Sequence, residues 1–292
     1  MRVLVTGSEG RIGRVQVARL LAEGMEVRTF DSRAAGRNHP AEHYPGDIRD
    51  IQAVRRAVQG VDAVVHLAAI PSDRNGAGSD VLEVNVQGAS NILFSCVEAD
   101  VPRVVFFSSI NSLGCVGIHG RPQYLPLDDS HPHNPMTPYQ LSKYIGEEAC
   151  RCFSERYGIV TIGLRPVLVI SPENYHWIND HQQRFTPERE RPEFYAYVDV
   201  RDVCDAAFLA INASGILHDN FLLAAEDTTA PIPTRELADQ QYPNLPWKVE
   251  REAYLNNNPY RSFIDCSHAK ELLGWNPQHT WRTQSISGEM NV

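Results

Sequence analysis

Short runs of β-branched residues alternate with stretches of helical period along the first 165 residues, and that alternation commits the chain to helices packed on a parallel sheet. The runs are Arg2–Thr6, residues 26–30, Ala63–His66, Arg103–Phe107, residues 160–165 and residues 221–223. Between them, residues 12–23 bring Ile12, Val15, Ala18, Leu21 and Ala22 to one face, and residues 81–97 align Leu82, Val86, Ala89, Leu93 and Cys96. A further helix is expected over 139–157, opened by Thr137-Pro138, where the missing proline N–H has no intrahelical partner to lose. After Arg165 the pattern loosens. Residues 172–194 read as too irregular for another crossover, Tyr197-Val198-Asp199-Val200 and a helix over 201–212 restore order, and five prolines break residues 224–261 into short pieces before a last helix at Ser267–Leu273.

At 292 residues the chain buries about three quarters of its unfolded surface, so it needs no metal or disulfide staple. With 27 Lys and Arg against 36 Asp and Glu, the net charge of −9 lacks the footprint of a nucleic-acid or anionic-membrane binder. The six cysteines, Cys96, Cys115, Cys150, Cys152, Cys204 and Cys266, form no CxxC pair and read as reduced thiols. The first strand begins at once and no stretch approaches about 18 uninterrupted apolar residues, so a cytoplasmic, unanchored protein is expected. The pairs His131/His133 and His176/His181 lack the spacing of a closed metal site, and no metal is expected.

The first strand ends in Val5-Thr6-Gly7-Ser8-Glu9-Gly10-Arg11-Ile12-Gly13 and passes directly into a helix. Glycines there let backbone N–H groups and the helix N-terminus approach a pyrophosphate. Asp31 closes the second strand 18 residues after Gly13, followed by Ser32; its carboxylate suits ribose hydroxyls and repels a 2′-phosphate, which selects NAD over NADP. Arg33 and Arg37 soften that choice. Gly46-Asp47-Ile48 is placed to hold the adenine edge, and His66-Leu67-Ala68-Ala69 has small side chains past which a dinucleotide runs. Asn85, polar within an apolar helix, reads equally as a ligand contact or as a buried amide bridging helix and strand. The expected architecture is α/β, a Rossmann-type doubly wound parallel sheet. Residues 1–166 form the NAD-binding domain and 167–292 a small discontinuous substrate lobe, from which 199–223 return to the first domain.

Tyr139-Gln140-Leu141-Ser142-Lys143 sets a phenol and an ammonium one helical turn apart on one face. A tyrosine near pKa 10 is a poor base at neutral pH, but a neighbouring Lys⁺ favours the phenolate. Ser108-Ser109 closes the fifth strand at the carboxyl edge, where ligands of open α/β sheets bind and where a hydroxyl can hold a substrate oxygen.

Taken together, VTGSEGRIG, Asp31, Gly46-Asp47-Ile48, HLAA, Asn85, FSS, TPYQLSK and YVDVRDV resemble the NAD-dependent epimerase/dehydratase family, the extended short-chain dehydrogenases, over nearly the whole chain. The resemblance implies Tyr139 as catalytic acid/base and Lys143 as modulator of its pKa and binder of the nicotinamide ribose. It implies Ser109, five residues before Gly114, as the hydroxyl partner, Pro166 as a further cofactor contact, and a homodimer pairing the helices at 81–97 and 139–157. Arg165-Pro166-Val167 with Ser171-Pro172-Glu173-Asn174-Tyr175 is similar to the uronate dehydrogenases of the family, which oxidise the anomeric carbon of a free hexuronic acid to a lactone. Those enzymes clamp the carboxylate with an arginine where this chain has His176, and imidazole replaces a bidentate guanidinium poorly. Residues 172–194 are also short for holding a nucleotide diphosphate. The expectation is NAD-dependent oxidation of a free or phosphorylated aldose or uronate. Ser109, Ile110, Asn111, Asn174 and His176 are the expected sugar contacts, with residues 188–191 part of a cover. The alternatives are a nucleotide-sugar 4-epimerase and an NAD-sensing regulator without activity, and the intact Tyr139/Lys143 pair speaks against the regulator.

Overall fold

A computed structural model describes residues 1–36, 39–74, 76–116, 120–183, 185, 194–256 and 258–283. Arg37 and residues 188–191 lie outside the described residues, as does the side chain of His181. Seven strands form one parallel sheet in the order β3-β2-β1-β4-β5-β6-β9. They are β1 Arg2–Thr6, β2 Glu26–Asp31, β3 Glu42–Pro45, β4 Ala63–His66, β5 Arg103–Phe107, β6 Val160–Pro166 and β9 His218–Leu223. The strand order reverses between β1 and β4, so the loops after those strands diverge and leave a crevice at their carboxyl ends.

Alternation along each buried strand divides the core. Val3, Val5, Val65, Val105 and Ile162 face α1 (Arg11–Ala22) and α7 (Val200–Asn212), while Leu4, Val64, Val104 and Phe106 face α2 (Ile51–Val58), α4 (Gly88–Glu98) and α5 (Pro138–Tyr157). Ile92 and Leu93 of α4 are fully buried there, each contributing about 1.5–3 kcal/mol. Five of the six cysteines sit in these interiors as free thiols, with burial raising that of Cys115 to about 12; Cys152 is exposed.

Three sequence readings are corrected. The buried face of α1 runs through Gly13, Gln16, Val17 and Leu20; of the expected face Ile12 and Leu21 pack against the core only partly buried, and Ala18 is exposed. The first turn sets that phase: a methyl on Gly13 would lie 2.2 Å from the carbonyl oxygen of Gly7, so this glycine must face the turn. Residues 81–97 are not one regular helix, because α3 (Gly78–Leu82) meets α4 through a wide π turn at Glu83–Gln87. The extra residue in that turn shifts the phase, leaving Leu82 and Val86 only half-buried. Residues 172–194, read as irregular, contain α6 (His176–Gln183).

Beyond β6, β7 (Leu168–Ile170) and β8 (Tyr197–Asp199) pair in parallel as a separate ribbon. The C-terminal helices α8 (Thr234–Gln241), α9 (Arg251–Asn256) and α10 (Ser267–Leu273) follow the prolines noted above. The segment after α10 is tied back where Asp202 accepts from the amides of Gln278 and His279, both at 3.0 Å, and the Trp275 indole donates to the Asp202 carbonyl at 2.8 Å. Among the described residues no helix is long and apolar enough to cross a membrane.

Helix α5 lies so close to β5 that a methyl on Gly146 would stand 2.4 Å from the Phe106 ring. Gly146→Ala is therefore expected to cost about 1–3 kcal/mol through overpacking, seen as a lowered thermal midpoint in calorimetry.

Candidate active site

A 390 Å³ cleft opens at the carboxyl edge of the sheet. The turn after β1 supplies Gly7, Gly10, Arg11, Ile12 and Gly13, the loop after β4 Leu67, Ala69 and Pro71, and the end of β5 Phe107, Ser108, Ser109 and Asn111. Tyr139 and Lys143 come from α5, and Pro166, Val167, Leu168 and Val169 complete the wall.

Each glycine of the turn has its own reason. Gly7 adopts φ +66°, and a methyl there would meet the Ala68 nitrogen at 2.7 Å, so the β1 turn and the β4 loop touch backbone to backbone. Gly13 seats the helix, as described. Gly10 faces the cleft, where a side chain would stand before the helix N-terminus that a pyrophosphate approaches. Thr6 holds the neighbouring loop by accepting from the amides of Leu67 and Ala68, both at 3.2 Å, and its hydroxyl pairs with His66 Nδ1 at 2.8 Å. Burial, aided by the charge of Lys143, drives His66 down to about 3, so it stays neutral.

At the end of β2, burial pushes the Asp31 carboxyl up, but hydrogen bonds from Arg33 and from the amide of Glu9 outweigh it and hold the group below the usual carboxylate range. It is ionised at neutral pH. These groups fit NAD: an open helix N-terminus, a carboxylate at the end of the second strand, and apolar walls from Leu67, Pro166 and Val167.

At the other end of the cleft, Thr137 caps α5 by accepting from the Gln140 amide, and Asp73 accepts from the Tyr139 amide at 2.7 Å. Tyr139 is half-buried and walls the cleft instead of entering the core. The Lys143 ammonium lies 5.8 Å from the centre of the Tyr139 ring and donates to the Phe107 carbonyl at 2.7 Å. Burial lowers its pKa to about 8, against an opposing pull from Glu147. The Ser109 oxygen accepts from the Asn111 amide at 3.2 Å and from Asn111 Nδ2 at 3.3 Å, which leaves its O–H as the group to offer an incoming oxygen.

Other expected site residues lie outside the cleft wall, with contacts of their own. Asn85 is buried, its Oδ1 accepting from the Ile70 amide at 2.8 Å and its Nδ2 donating to the Ile70 carbonyl and to Ser142 Oγ, so the amide ties the π turn to the loop after β4 and to α5, not helix to strand. Asp47 is paired with Arg49 at 2.6 Å, Ile48 packs beneath Gly88, and Ser32 is exposed. Ile110 is buried in the core, and Ala68 serves through its backbone. Asn174 and His176 do not wall the cleft; His176 is exposed and bonds the Glu173 carbonyl at 2.9 Å. Sequence reasoning missed Pro71, Leu168 and Val169 in the wall and Asp73 at the head of α5. It also missed Glu147, which repeats the four-residue step from Tyr139 to Lys143 and was legible on that ground. Among the described residues no group of three or more His, Cys, Asp or Glu is placed to hold a metal ion.

A doubly wound parallel sheet whose first turn is a glycine cradle and whose cleft is walled by a Tyr–Lys pair and a serine defines a dinucleotide-dependent oxidoreductase of the short-chain type. Comparison with known proteins agrees. Residues 3–221 match the NAD dependent epimerase/dehydratase family. A protein named putative UDP-glucose 4-epimerase from Methanocaldococcus jannaschii is 37% identical over 94% of this chain and 93% of its own. A uronate dehydrogenase from Pseudomonas putida is 30% identical over 56% of this chain and 59% of its own. The solved structure of a short-chain dehydrogenase/reductase superfamily protein from Agrobacterium tumefaciens with bound NAD superimposes with a TM-score of 0.72 at 25% identity, covering all of both chains. The chain belongs to the NAD dependent epimerase/dehydratase family, and its cofactor is NAD.

We propose that Asp31 meets the cofactor ribose, and a charged hydrogen bond of that kind contributes about 1.5–3 kcal/mol, so Asp31→Ala tests the assignment. NAD affinity measured by calorimetry is expected to fall at least about tenfold.

Proposed function

We propose that this protein is an NAD-dependent dehydrogenase that oxidises a free sugar, with Tyr139, Lys143 and Ser109 as its catalytic residues. The observation that carries the reading is the meeting of those three residues with the glycine turn in one cleft. NAD, when bound, accepts the hydride released from the sugar carbon. The chain's own part is to hold and deprotonate the sugar hydroxyl. Ser109 donates to its oxygen, and the Tyr139 phenolate, favoured by the cation of Lys143, takes its proton. Asn111 fixes the direction of the serine hydroxyl. Leu67, Pro166 and Val167 give the cleft an apolar wall.

The substrate class follows from charge. Arg11 stands at the glycine turn and Lys143 beneath Tyr139, and among the described residues no other Arg or Lys walls the cleft. His176 does not stand in for the arginine clamp of the uronate dehydrogenases, since it points to the Glu173 carbonyl. Both features favour an uncharged aldose, oxidised at its anomeric carbon, over a uronate. The second reading, a nucleotide-sugar 4-epimerase using the same three residues, is favoured by the full-length similarity to the Methanocaldococcus protein of that name. NADH formation at 340 nm with aldoses supports the first reading. Interconversion of UDP-glucose and UDP-galactose without net NADH supports the second. Tyr139→Phe is expected to lower kcat at least about 100-fold while leaving NAD affinity within about threefold.

We further propose a homodimer through α4 and α5. Their outer surfaces expose Phe94 (47%) and Tyr157 (51%), with Phe153 between them at 4.8 and 5.3 Å between ring centres. An aromatic patch of this kind on paired helices suits a self-complementary interface. Phe94→Glu is expected to yield monomer in light scattering, and an unchanged dimer would reject the interface.

A further inference from the structure

Directly beneath the cleft lies a chain of buried polar groups that the reaction outlined above does not use. Glu147, one turn beyond Lys143 on α5, is almost wholly buried. One of its oxygens accepts from the Ser108 hydroxyl and from Arg165 Nε at 2.9 Å, and the other accepts from Arg165 Nη2 at 2.9 Å. Arg165 continues to the carbonyl and carboxylate of Asp129, both at 3.2 Å, and Asp129 in turn accepts from the Leu222 amide at 2.8 Å. The network thus joins the ends of β5, β6 and β9 to α5. It reaches the cleft wall directly through Ser108 and adjoins it through Arg165, which precedes Pro166.

We propose, on the reading of the site given above, that Glu147 is a positioning residue for the reaction: anchored by Ser108 and Arg165, it fixes the rotation of α5 and supplies the counter-charge that keeps Lys143 cationic beside Tyr139. A buried bidentate ion pair is weak evidence for stability, since its desolvation cost rivals its attraction, so its presence beneath a reactive lysine asks for another use. A buried ammonium sheds its proton unless a nearby negative charge opposes that loss, and Glu147 is the group whose field raises the proton affinity of Lys143. The other groups around the pair do not replace it. His66, on β4, is held neutral by burial, as is His218 on β9. Cys150 on α5 is kept a thiol by burial. His133, its ring tilted against Tyr144, lies 3.4 Å from Arg165 Nη2 and 3.9 Å from the Glu147 carboxylate. Burial raises the Asp129 carboxyl to about 7 despite Arg165, so near neutrality it competes only partly with Glu147 for the guanidinium.

The test reads Lys143 itself. The chain has three lysines, Lys143, Lys248 and Lys270, so protein labelled with ¹³C at the lysine ε-carbons gives three resolvable signals, and Lys143→Arg assigns the one of interest. In the wild type that signal is expected to titrate near about 8. In Glu147→Gln the midpoint is expected to fall by about half a pH unit or more, while Glu147→Asp, which keeps the charge, stays closer to the wild type. The alkaline limb of kcat/KM should follow the midpoint downward; a midpoint lower by about one pH unit reduces the rate about tenfold at pH values above both midpoints. If Glu147→Gln does not fold, the triple variant Glu147→Leu/Arg165→Met/Asp129→Asn removes the charges of the network together, and a fall of the Lys143 midpoint is again expected. A Lys143 midpoint that moves by less than about half a pH unit in the folded variant overturns the proposal. Because the titration needs no substrate, a wild type inactive with every sugar would reject the functional reading without deciding this one.

Discussion

Everything at the working end of this molecule is arranged around one buried ammonium. A lysine in the interior gives up hydration, and the fold offsets that loss with the Phe107 carbonyl at 2.7 Å and the carboxylate of Glu147 one turn along. To present that carbonyl, β5 must end where it does, and the chain must turn at Ser108 and Ser109 into the short helical turn Ile110–Leu113. To bring the ammonium over it, α5 must approach the sheet at the distance that Gly146 permits. Tyr139 is carried to the cleft by the same helix. The phenol, the serine and the lysine therefore share one rigid frame made of a strand end and a helix.

The cofactor end depends on a different constraint, the backbone contact between the first turn and the β4 loop. Gly7 and Gly13 are there because atoms of the main chain occupy the space that side chains would need. The contact brings Leu67 and Ala69 level with the glycine turn, so the dinucleotide cradle and the proton-transfer frame open on one continuous cleft. On the proposed function neither half performs chemistry alone: the cradle without Tyr139 merely binds, and Tyr139 without the cradle has no acceptor for the hydride.

Much of this was legible in the amino-acid order. The apolar runs located β1, β2, β4, β5 and β6, and the helical period located α5, within a residue, because both faces of the sheet are covered and these strands read as unbroken apolar runs; β9 begins three residues before its run, and β3 and β7 carried no run of their own. The glycine spacing and the Tyr–Lys step pointed to the cleft. Helix rotation was not legible, since Ile12, Val15 and Ala18 look like a core face until the packing of Gly13 against Gly7 fixes the phase. Nor was the π turn at Glu83–Gln87, which follows from the tertiary bonds of Asn85 to Ile70 and Ser142. Contacts from distant loops, such as Asp73 on the amide of Tyr139, leave no local signal. Asn174 and His176 were drawn to the sugar by resemblance alone, and the local turn directs His176 to the carbonyl of Glu173.

The most direct test of the central claim follows the hydrogen itself. An aldose carrying deuterium at its anomeric carbon is incubated with the enzyme and NAD, and the released reduced cofactor is examined by mass spectrometry. The account predicts one deuterium on the nicotinamide, with a primary isotope effect on the chemical step. Reduced cofactor free of deuterium, or none formed from any aldose, would contradict it.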